Sequence, residues 1–211
     1  MNGHMRPQDI EKRSFAIITA ELGERTFPDG ESEVVKRVIH TTADFDYADS
    51  LAFSPGAVGQ AREALASGAT VVTDTNMALA GVNKGALQAL GGRAVCYMAD
   101  GAVARAAGAR GVTRAAVSME YAALLDGPLI FAVGNAPTAL IRLHELIAEG
   151  AVSPALVIGV PVGFVNVVEA KELFIGGQTP YIIARGRKGG SNVAAAIVNA
   201  LLYQLIEREG F

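Results

Sequence analysis

The chain has little or nothing of several features that mark particular protein classes. It contains no tryptophan and a single cysteine, Cys96, among 211 residues. One cysteine excludes an intrachain disulfide and any metal site built from several thiolates. Because Cys96 stands in the apolar run 94–98, we expect it to be an unreactive core residue. The sequence therefore offers no disulfide framework.

Neither charge nor hydropathy indicates a nucleic-acid or membrane partner. The net charge is −3 at pH 7, so no overall positive field attracts nucleic acid or an anionic membrane. No uninterrupted apolar run approaches the about 20 residues that span a bilayer, and no signal peptide opens the chain. We expect a cytoplasmic protein with no nucleic-acid and no membrane partner. Any anionic ligand must then be held by a local basic cluster.

The motifs of several enzyme classes are missing as well. No Gly-x-Gly-x-x-Gly follows the first strand and no Walker A sequence occurs, which weighs against dinucleotide and nucleotide enzymes. No Gly-x-Ser-x-Gly elbow is present. No His, Asp and Glu residues stand at metal-ligand spacing. We therefore predict that the protein works without a cofactor or a bound metal.

What is present is an alternation of apolar and amphipathic segments. Strands are predicted at 51–54, 70–75, 93–98, 128–134, 155–160 and 180–184. Helices are predicted from Arg13, at 28–39 and 55–66, as a helix or broken helix at 76–90, as an irregular helix at 100–111, and at 113–125, 135–150, 166–173 and 191–207. This pattern predicts an α/β fold, a doubly wound and mostly parallel sheet of five or six strands with helices on both faces. We assign residues 8–211 to one domain and interpret residues 1–7 as a cloning remnant or a disordered N-terminus.

His40 is the first candidate for chemistry among three histidines. His4 lies in the N-terminal stretch that we set aside, and His144 lies mid-helix, where we expect a structural or surface role. A helix predicted over Pro28–Ile39 ends just before His40. The dipole at a helix C-terminus favours the imidazolium form, so His40 can give up and take back a proton. A histidine at a helix end is more often a cap than a catalyst, and both interpretations stay open here.

Three glycine-rich turns follow predicted strands, where ligands bind in open α/β sheets. They contain Asn135, Gly163 and the segment 185–191. That last segment combines Arg185, Lys188 and a helix start at Ser191, a set suited to a carboxylate or phosphate. A solvated basic turn explains the same residues equally well. Asn135 also fits the N-cap of the helix that follows it.

Other polar residues also have two interpretations. Ser14 is either the N-cap of the first helix or a hydroxyl aimed at a ligand. Arg114 follows the predicted cap Thr113 and, taken alone, favours a surface ion pair. Asp44 and Asp46 are more typical of a turn or a helix cap than of an acid/base pair.

Taken together, several of these stretches resemble precorrin-8X methylmutases. The resemblance extends from about Ile10 to Leu202 and is most specific in Asn-Ala-Pro-Thr-Ala-Leu and Val-Pro-Val-Gly-Phe-Val. The stretches that carry it are Arg13–Ile18, the His40 segment, Phe53–Pro55, Gly134–Leu140, Gly159–Val165 and Arg185–Ser191.

The resemblance implies an isomerase of cobalamin biosynthesis. Such an enzyme moves a methyl group from C-11 to C-12 of precorrin-8X, or of cobalt-precorrin-8, to give hydrogenobyrinate or cobyrinate. The resemblance also implies a homodimer, with His40 as the catalytic residue and with Ser14 and Arg114 in contact with a tetrapyrrole polycarboxylate. We expect the substrate carboxylates to be held in addition by the glycine-rich turns, through Asn135, Gly163, Arg185 and Ser191.

Two other functions remain alternatives. A protein of the same fold can carry a tetrapyrrole without catalysis, but carriage needs no titrating group at position 40. An unrelated phosphate-ester enzyme that uses the 185–191 turn is a weaker alternative, because the sequence lacks a metal cluster and a nucleophile elbow.

Overall fold

The computed structural model describes residues 6–206, without the side chains of residues 7 and 8. Helices and strands alternate along this part of the chain. The strands are β1 (Leu51–Phe53), β2 (Thr70–Thr73), β3 (Arg93–Val95), β4 (Leu129–Val133), β5 (Leu156–Gly159) and β6 (Tyr181–Ala184). The helices are α1 (Pro7–Leu22), α2 (Glu31–Thr42), α3 (Tyr47–Ser50), α4 (Ala57–Ala66), α5 (Asn76–Gly81), α6 (Lys84–Ala89), α7 (Gly101–Arg110), α8 (Arg114–Ala122), α9 (Pro137–Ala148), α10 (Val167–Glu172) and α11 (Ser191–Leu202).

The strands form one six-stranded sheet in the order β1-β6-β5-β4-β2-β3. All neighbours run parallel except β1, which pairs antiparallel with β6 at the sheet edge. The predicted fold class, a mostly parallel α/β sheet, is confirmed. From β2 the chain proceeds to β3 on one side of the sheet, and it then crosses back to β4, β5 and β6 on the other side. The carboxyl ends of β2 and β4 therefore flank a topological switch point.

Helices cover both faces of the sheet, as predicted. In β4 all five residues are buried, and alternate side chains point to opposite faces. Ile130 and Ala132 pack in the core that contains α2, α4 and α11. Phe131 and Val133 pack in the second core, which contains α8, α9 and α10. A strand buried on both faces explains why its sequence is a continuous apolar run.

The helix that carries His40 begins later than predicted. Pro28 lies in a turn, where the N–H of Glu31 donates to its carbonyl at 3.1 Å, and Gly30 adopts a left-handed conformation. The helix α2 also ends later than predicted, at Thr42, so it includes His40 in its last turn. The apolar stripe was placed correctly, since the buried residues of α2 are Val34, Val35, Val38 and Ile39.

The helix α1 begins at Pro7, well before the predicted start at Arg13. Pro7 at the first position and Asp9 in the first turn both indicate a helix start, and the prediction did not use them. Ser14 therefore lies in mid-helix, and its predicted N-cap role is wrong. Its hydroxyl donates to the carbonyl of Ile10 at 3.0 Å. The predicted domain boundary at residue 8 falls within this helix, whereas His4 lies outside the described residues.

Several other element ends differ from the prediction. The strand β3 ends at Val95, so Cys96 lies beyond it and is half-buried rather than a core residue. The segment after Asp100 is a regular α-helix, because the Asp100 carboxylate accepts from the N–H of Ala102 at 2.7 Å. Of the two alternatives predicted for 76–90, the broken helix is confirmed: α5 and α6 are separate helices, and Asn83 caps α6.

Two findings concern the C-terminal part and the molecule as a whole. The helix α11 ends at Leu202, before the predicted end at Glu207, which lies outside the described residues. Between residues 6 and 206, no helix has the length and apolar character needed to cross a membrane.

Candidate active site

The carboxyl ends of the parallel strands collect most of the predicted ligand-binding residues at one edge of the sheet. Asp74 and Thr75 follow β2, Asn135 follows β4, the turn with Gly163 follows β5, and the loop 185–190 follows β6. We call this loop, between β6 and α11, the basic loop. Because parallel strands end on the same side, these segments lie side by side.

Asp74 joins the ends of β2 and β4. Its carboxylate is completely buried and accepts from the N–H of Gly134 and Asn135 at 2.8 Å and of Ala136 at 2.7 Å. Burial raises the pKa of Asp74, and the three N–H groups oppose that rise. Asp74 therefore holds the turn that precedes α9, whereas α9 itself has no side-chain cap. Its N-cap residue is Ala136, so the predicted N-cap role of Asn135 is wrong.

Asn135 and Ser191 lie close to each other at this edge. The hydroxyls of Ser191 and Thr75 are 2.8 Å apart, and Thr75 also caps α5 by accepting from the N–H of Ala78 at 3.0 Å. Position 134 must be glycine, because a Cβ there would lie 2.7 Å from the Cα of Ser191. The exposed Asn135 turn and the start of α11 therefore form one continuous surface.

The basic loop is fixed to the end of β5. The N–H of Gly190 donates to the carbonyl of Val160 at 2.8 Å, and the N–H of Gly163 donates to the carbonyl of Arg187 at 3.2 Å. A Cβ at Gly189 would collide with the carbonyl of Val160. Arg185 is exposed and has a long ion pair to Glu172, with 3.6 Å between Nε and Oε1. The structure thus brings Gly163, Arg185, Ser191 and Asn135 together.

Lys188 connects the basic loop to the chain that follows His40. Its ammonium donates to Asp44 at 2.7 Å and to Asp46 at 2.6 Å. The two carboxylates raise the pKa of Lys188, and its ammonium lowers the pKa of Asp44. Lys188 was expected to be a free anion donor, but in the structure Asp44 and Asp46 already neutralise its charge. The predicted turn is confirmed, because the N–H of Asp46 donates to Asp44 Oδ1 at 3.0 Å.

His40 is exposed and lies against α1. Its ring stacks on Phe15 with centroids 5.1 Å apart and planes at 21°, and the Arg37 guanidinium lies 4.6 Å from the same Phe15 ring. Ser14 precedes Phe15 on α1, so its side chain leaves the helix about 100° around the axis from that of Phe15. A groove of about 1070 Å³ between α1, α2 and the end of α11 is lined by Phe15 and Arg37. His40 is therefore accessible at the border of a groove.

His144 has the structural role expected of it. Its ring packs edge-on against Phe174, with centroids 5.6 Å apart.

Arg114 lies near the start of α9. It is the first residue of α8, and its guanidinium donates to the carbonyl of Met98 at 3.3 Å. Within residues 6–206 it forms no ion pair, contrary to the surface pair that the sequence favours. Thr113 caps α8 as predicted and lies 2.9 Å from the hydroxyl of Thr138 on α9. Thr138 is only three residues after Asn135, and Met98 follows β3, so Arg114 also lies toward the carboxyl edge of the sheet.

Sequence reasoning missed two residues that shape this edge, Asp74 and Lys171. Asp74 stands directly after a buried strand at a sheet switch point, and that position is a usable signal. Lys171 is completely buried, and the spacing Val167, Ala170, Lys171, Phe174 places it on the apolar face of α10. No group of three or more His, Cys, Asp or Glu within the described part of the chain is arranged to hold a metal ion.

A doubly wound sheet with cationic groups at its carboxyl edge and an accessible histidine is the arrangement expected of an α/β enzyme with an anionic substrate. The family described as precorrin-8X methylmutase matches residues 9–204. The chain belongs to this family. Its class is that of an isomerase, an intramolecular transferase of cobalamin biosynthesis.

Individual relatives are similar over nearly their whole length. The chain is 48% identical to the cobalt-precorrin-8 methylmutase of Salmonella typhimurium, over 96% of this chain and 97% of the relative. It is 43% identical to the precorrin-8X methylmutase of Pseudomonas aeruginosa, over 92% of this chain and 94% of the relative. A crystal structure of the precorrin-8X methylmutase from Thermus thermophilus superposes with a TM-score of 0.83 at 43% identity, covering 92% of this chain and 96% of that one.

Proposed function

We propose that the protein moves a methyl group from C-11 to C-12 of precorrin-8X or cobalt-precorrin-8, with His40 as the proton donor and acceptor. One observation carries the proposal. The accessible His40 lies on α2, and the turn that follows it is tied by Lys188 to the basic loop at the carboxyl edge. A single ligand can therefore meet a proton-transfer group and several anion donors.

The chemistry of the rearrangement fits a site without a cosubstrate. The methyl group leaves one ring carbon and bonds to its neighbour, so atoms and electrons balance within the substrate. A proton given by His40 to a ring nitrogen makes the conjugated ring more electron-poor, which favours the shift. The same proton returns to His40 when the product chromophore forms. Stacking on Phe15 holds the imidazole in one orientation during both transfers.

The carboxylate arms of the ring are the groups that we assign to the anion donors. Arg185 and Ser191 come from the basic loop and the start of α11, and Asn135 and Gly163 come from the neighbouring turns. Ser14 and Arg114 are assigned to arms that extend toward α1 and α8. Binding energy from such remote arms is used to orient the reacting carbons.

Exposed apolar side chains at the same edge suit the flat face of a tetrapyrrole. Phe164 and Val165, in the turn after β5, are 83% and 76% exposed, and Met77, at the start of α5, is 71% exposed. The Arg187 guanidinium lies 5.5 Å from the Phe164 ring. Apolar surface beside cationic donors complements an apolar ring with a carboxylate rim.

The protein is also proposed to act as a homodimer, as the family resemblance implies. On α1, the side chains of Ile10 and Ile17 are 52% and 51% exposed, next to the groove that borders His40. Light scattering on the purified protein at micromolar concentration measures the mass of the particle, and a mass near one chain would contradict a dimer.

The test of function is incubation with metal-free and with cobalt-loaded precorrin-8, followed by absorption spectroscopy. Cobalt in this assay belongs to the substrate. We expect conversion of at least one ring to its corrin chromophore without nucleotide, flavin or added metal. Tight binding of both rings with no conversion would instead identify a carrier. Absence of binding to either ring would contradict the tetrapyrrole assignment.

A further inference from the structure

A buried cation lies directly beneath the basic loop. Lys171 on α10 is 0% exposed, although lysine is almost never fully buried unless it is paired. Its ammonium donates to the carbonyls of Gly186 and Lys188, at 2.8 Å in each case. Within residues 6–206 no carboxylate forms an ion pair with it. The positive charge is therefore solvated by the loop backbone alone.

These hydrogen bonds fix the direction of the peptide groups in the loop. In a planar trans peptide the C=O and the following N–H point in opposite directions. Because the carbonyls of Gly186 and Lys188 point inward at Lys171, the N–H groups of Arg187 and Gly189 point outward. Neither N–H donates to an acceptor in the described part of the protein. The loop thus presents two unused donors on its outer side.

We propose that Lys171 is a positioning residue for the ligand: by holding two carbonyls inward, it turns the N–H groups of Arg187 and Gly189 toward a substrate carboxylate. These two N–H groups, separated by Lys188, lie on the same side of the loop and can both donate to one anion, as backbone N–H groups do in concave anion sites. Arg185 and the start of α11 at Ser191 border it and add positive charge of their own. This inference rests on the proposed function, because it requires a polycarboxylate ligand at the carboxyl edge.

The charge of Lys171 adds a property that hydrogen bonding alone would not give. Burial lowers the pKa of Lys171 to about 8. A carboxylate bound on the outer side of the loop supplies the missing counter-charge and raises that pKa again. Binding above pH 8 then requires uptake of a proton, so affinity falls as the pH rises.

Other charged groups on the elements packed against Lys171 must be considered as sources of the same pH dependence. These groups are Glu169 and Glu172 on α10, Arg185, Arg187 and Lys188 on the loop, and Arg142, His144, Glu145 and Glu149 on α9. Comparison with a Lys171 variant separates its contribution from theirs.

The experiment titrates hydrogenobyrinate into the wild-type protein, Lys171→Met and Lys84→Met at pH 7 and pH 9.5. The wild type should bind about fivefold to tenfold more weakly at pH 9.5, because the pKa of Lys171 should rise by about one on binding. Lys171→Met should bind about tenfold more weakly at pH 7 and lose the pH dependence. Lys84→Met removes an exposed lysine at the start of α6, outside the basic loop, and should keep the pH dependence. In turnover, Lys171→Met should raise KM and leave kcat within about twofold.

The outcomes separate this inference from the proposed function. Equal wild-type affinity at both pH values, or an unchanged pH dependence in Lys171→Met, would overturn the role of Lys171 while leaving the methylmutase intact. If Lys171→Met does not fold, the pH dependence of the wild type and of Lys84→Met decides, and its absence from both would overturn the role of Lys171. A wild type that does not bind hydrogenobyrinate at pH 7 would overturn the proposed function, and this inference with it.

Discussion

At the scale of single residues, His40 is distinguished by accessibility combined with fixed orientation. It is exposed at the end of α2, yet its ring is held against Phe15. A cap role would direct the imidazole to the last carbonyls of its own helix. Instead, the N–H of Ala43 donates to the carbonyl of Ile39 at 2.7 Å, so the backbone itself closes the helix. The imidazole is left available for a ligand.

Replacing His40 by alanine should remove catalysis without unfolding the protein. The exposed ring contributes one stacking contact, whereas loss of a general acid typically lowers the rate about 100-fold to 10,000-fold. The measurement is single-turnover methyl transfer, with thermal melting as the check on folding. Thr41→Ala alters the next exposed residue of α2 and should keep wild-type turnover. Full activity in a folded His40→Ala protein would remove His40 from the mechanism.

Two arginines should contribute to binding rather than to chemistry. Arg185→Ala and Arg114→Ala each remove a guanidinium that we assign to a substrate carboxylate. A hydrogen bond to a charged group is worth about 1.5–3 kcal/mol, so each Kd should rise about tenfold to a hundredfold with little change in kcat. Arg62→Ala, on α4 and paired with Asp29, is the control and should bind normally. Wild-type affinity in both variants would show that the carboxylates bind elsewhere.

The residues that sequence reasoning found and missed differ in a physical way. Arg185 and Ser191 stand in a glycine-rich turn, so their chemistry is visible in the local sequence. Asp74 and Lys171 act across the fold, on backbone groups that are far away in sequence. No local pattern states which backbone atoms a buried charge will meet. Such partners become visible only when the order of the strands is known.

At the scale of elements, the turn that precedes α9 depends on the carboxylate of Asp74, which follows β2. Three N–H groups of 134–136 have no acceptor other than Asp74 within the described residues. Asp74→Ala would leave them unsatisfied in the interior, which should lower the free energy of unfolding by about 2–4 kcal/mol. Urea unfolding measures the loss. Asp100→Ala, which removes an exposed cap from α7, should cost only about 1 kcal/mol.

Element boundaries show why local signals succeed in some places and fail in others. Thr113 caps α8 with its own side chain, and its position was predicted correctly. The helix α2 has no side-chain cap and starts after Gly30, which adopts a left-handed conformation. The start predicted from Pro28 and Asp29 was therefore too early. The predicted N-cap at Asn135 was wrong for a related reason: α9 has no side-chain cap, and the turn before it is held by Asp74, which follows β2.

At the scale of the whole molecule, the alternation of apolar segments was sufficient to predict the parallel sheet and its two helical layers. It did not predict the strand order or the antiparallel direction of β1. That strand has three residues, and its position follows from contacts at both ends, including the N–H of Arg185 bonded to the carbonyl of Ser50 at 2.8 Å. The same contact places the turn after His40 beside the basic loop. The active-site geometry therefore depends on the least predictable part of the topology.

The free energy of unfolding of the whole protein should depend on pH because of the buried Lys171. Burial lowers the pKa of Lys171 from 10.5 in the unfolded chain to about 8 in the folded protein. Between these values the unfolded state holds one more proton than the folded state, so the free energy of unfolding rises with pH. Below pH 8 the ammonium is present in both states and its contribution is constant.

This prediction is checked by subtracting the stability of Lys171→Met from that of the wild type at each pH. Other titrating groups are common to both proteins and cancel in the difference. From pH 8 to pH 10 the wild type should gain on the variant by up to about 1.4 kcal/mol per pH unit. Between pH 6 and pH 7.5 the difference should be flat. A difference that is flat up to pH 10 would mean that Lys171 keeps its proton throughout, and the loop would then hold a permanent cation.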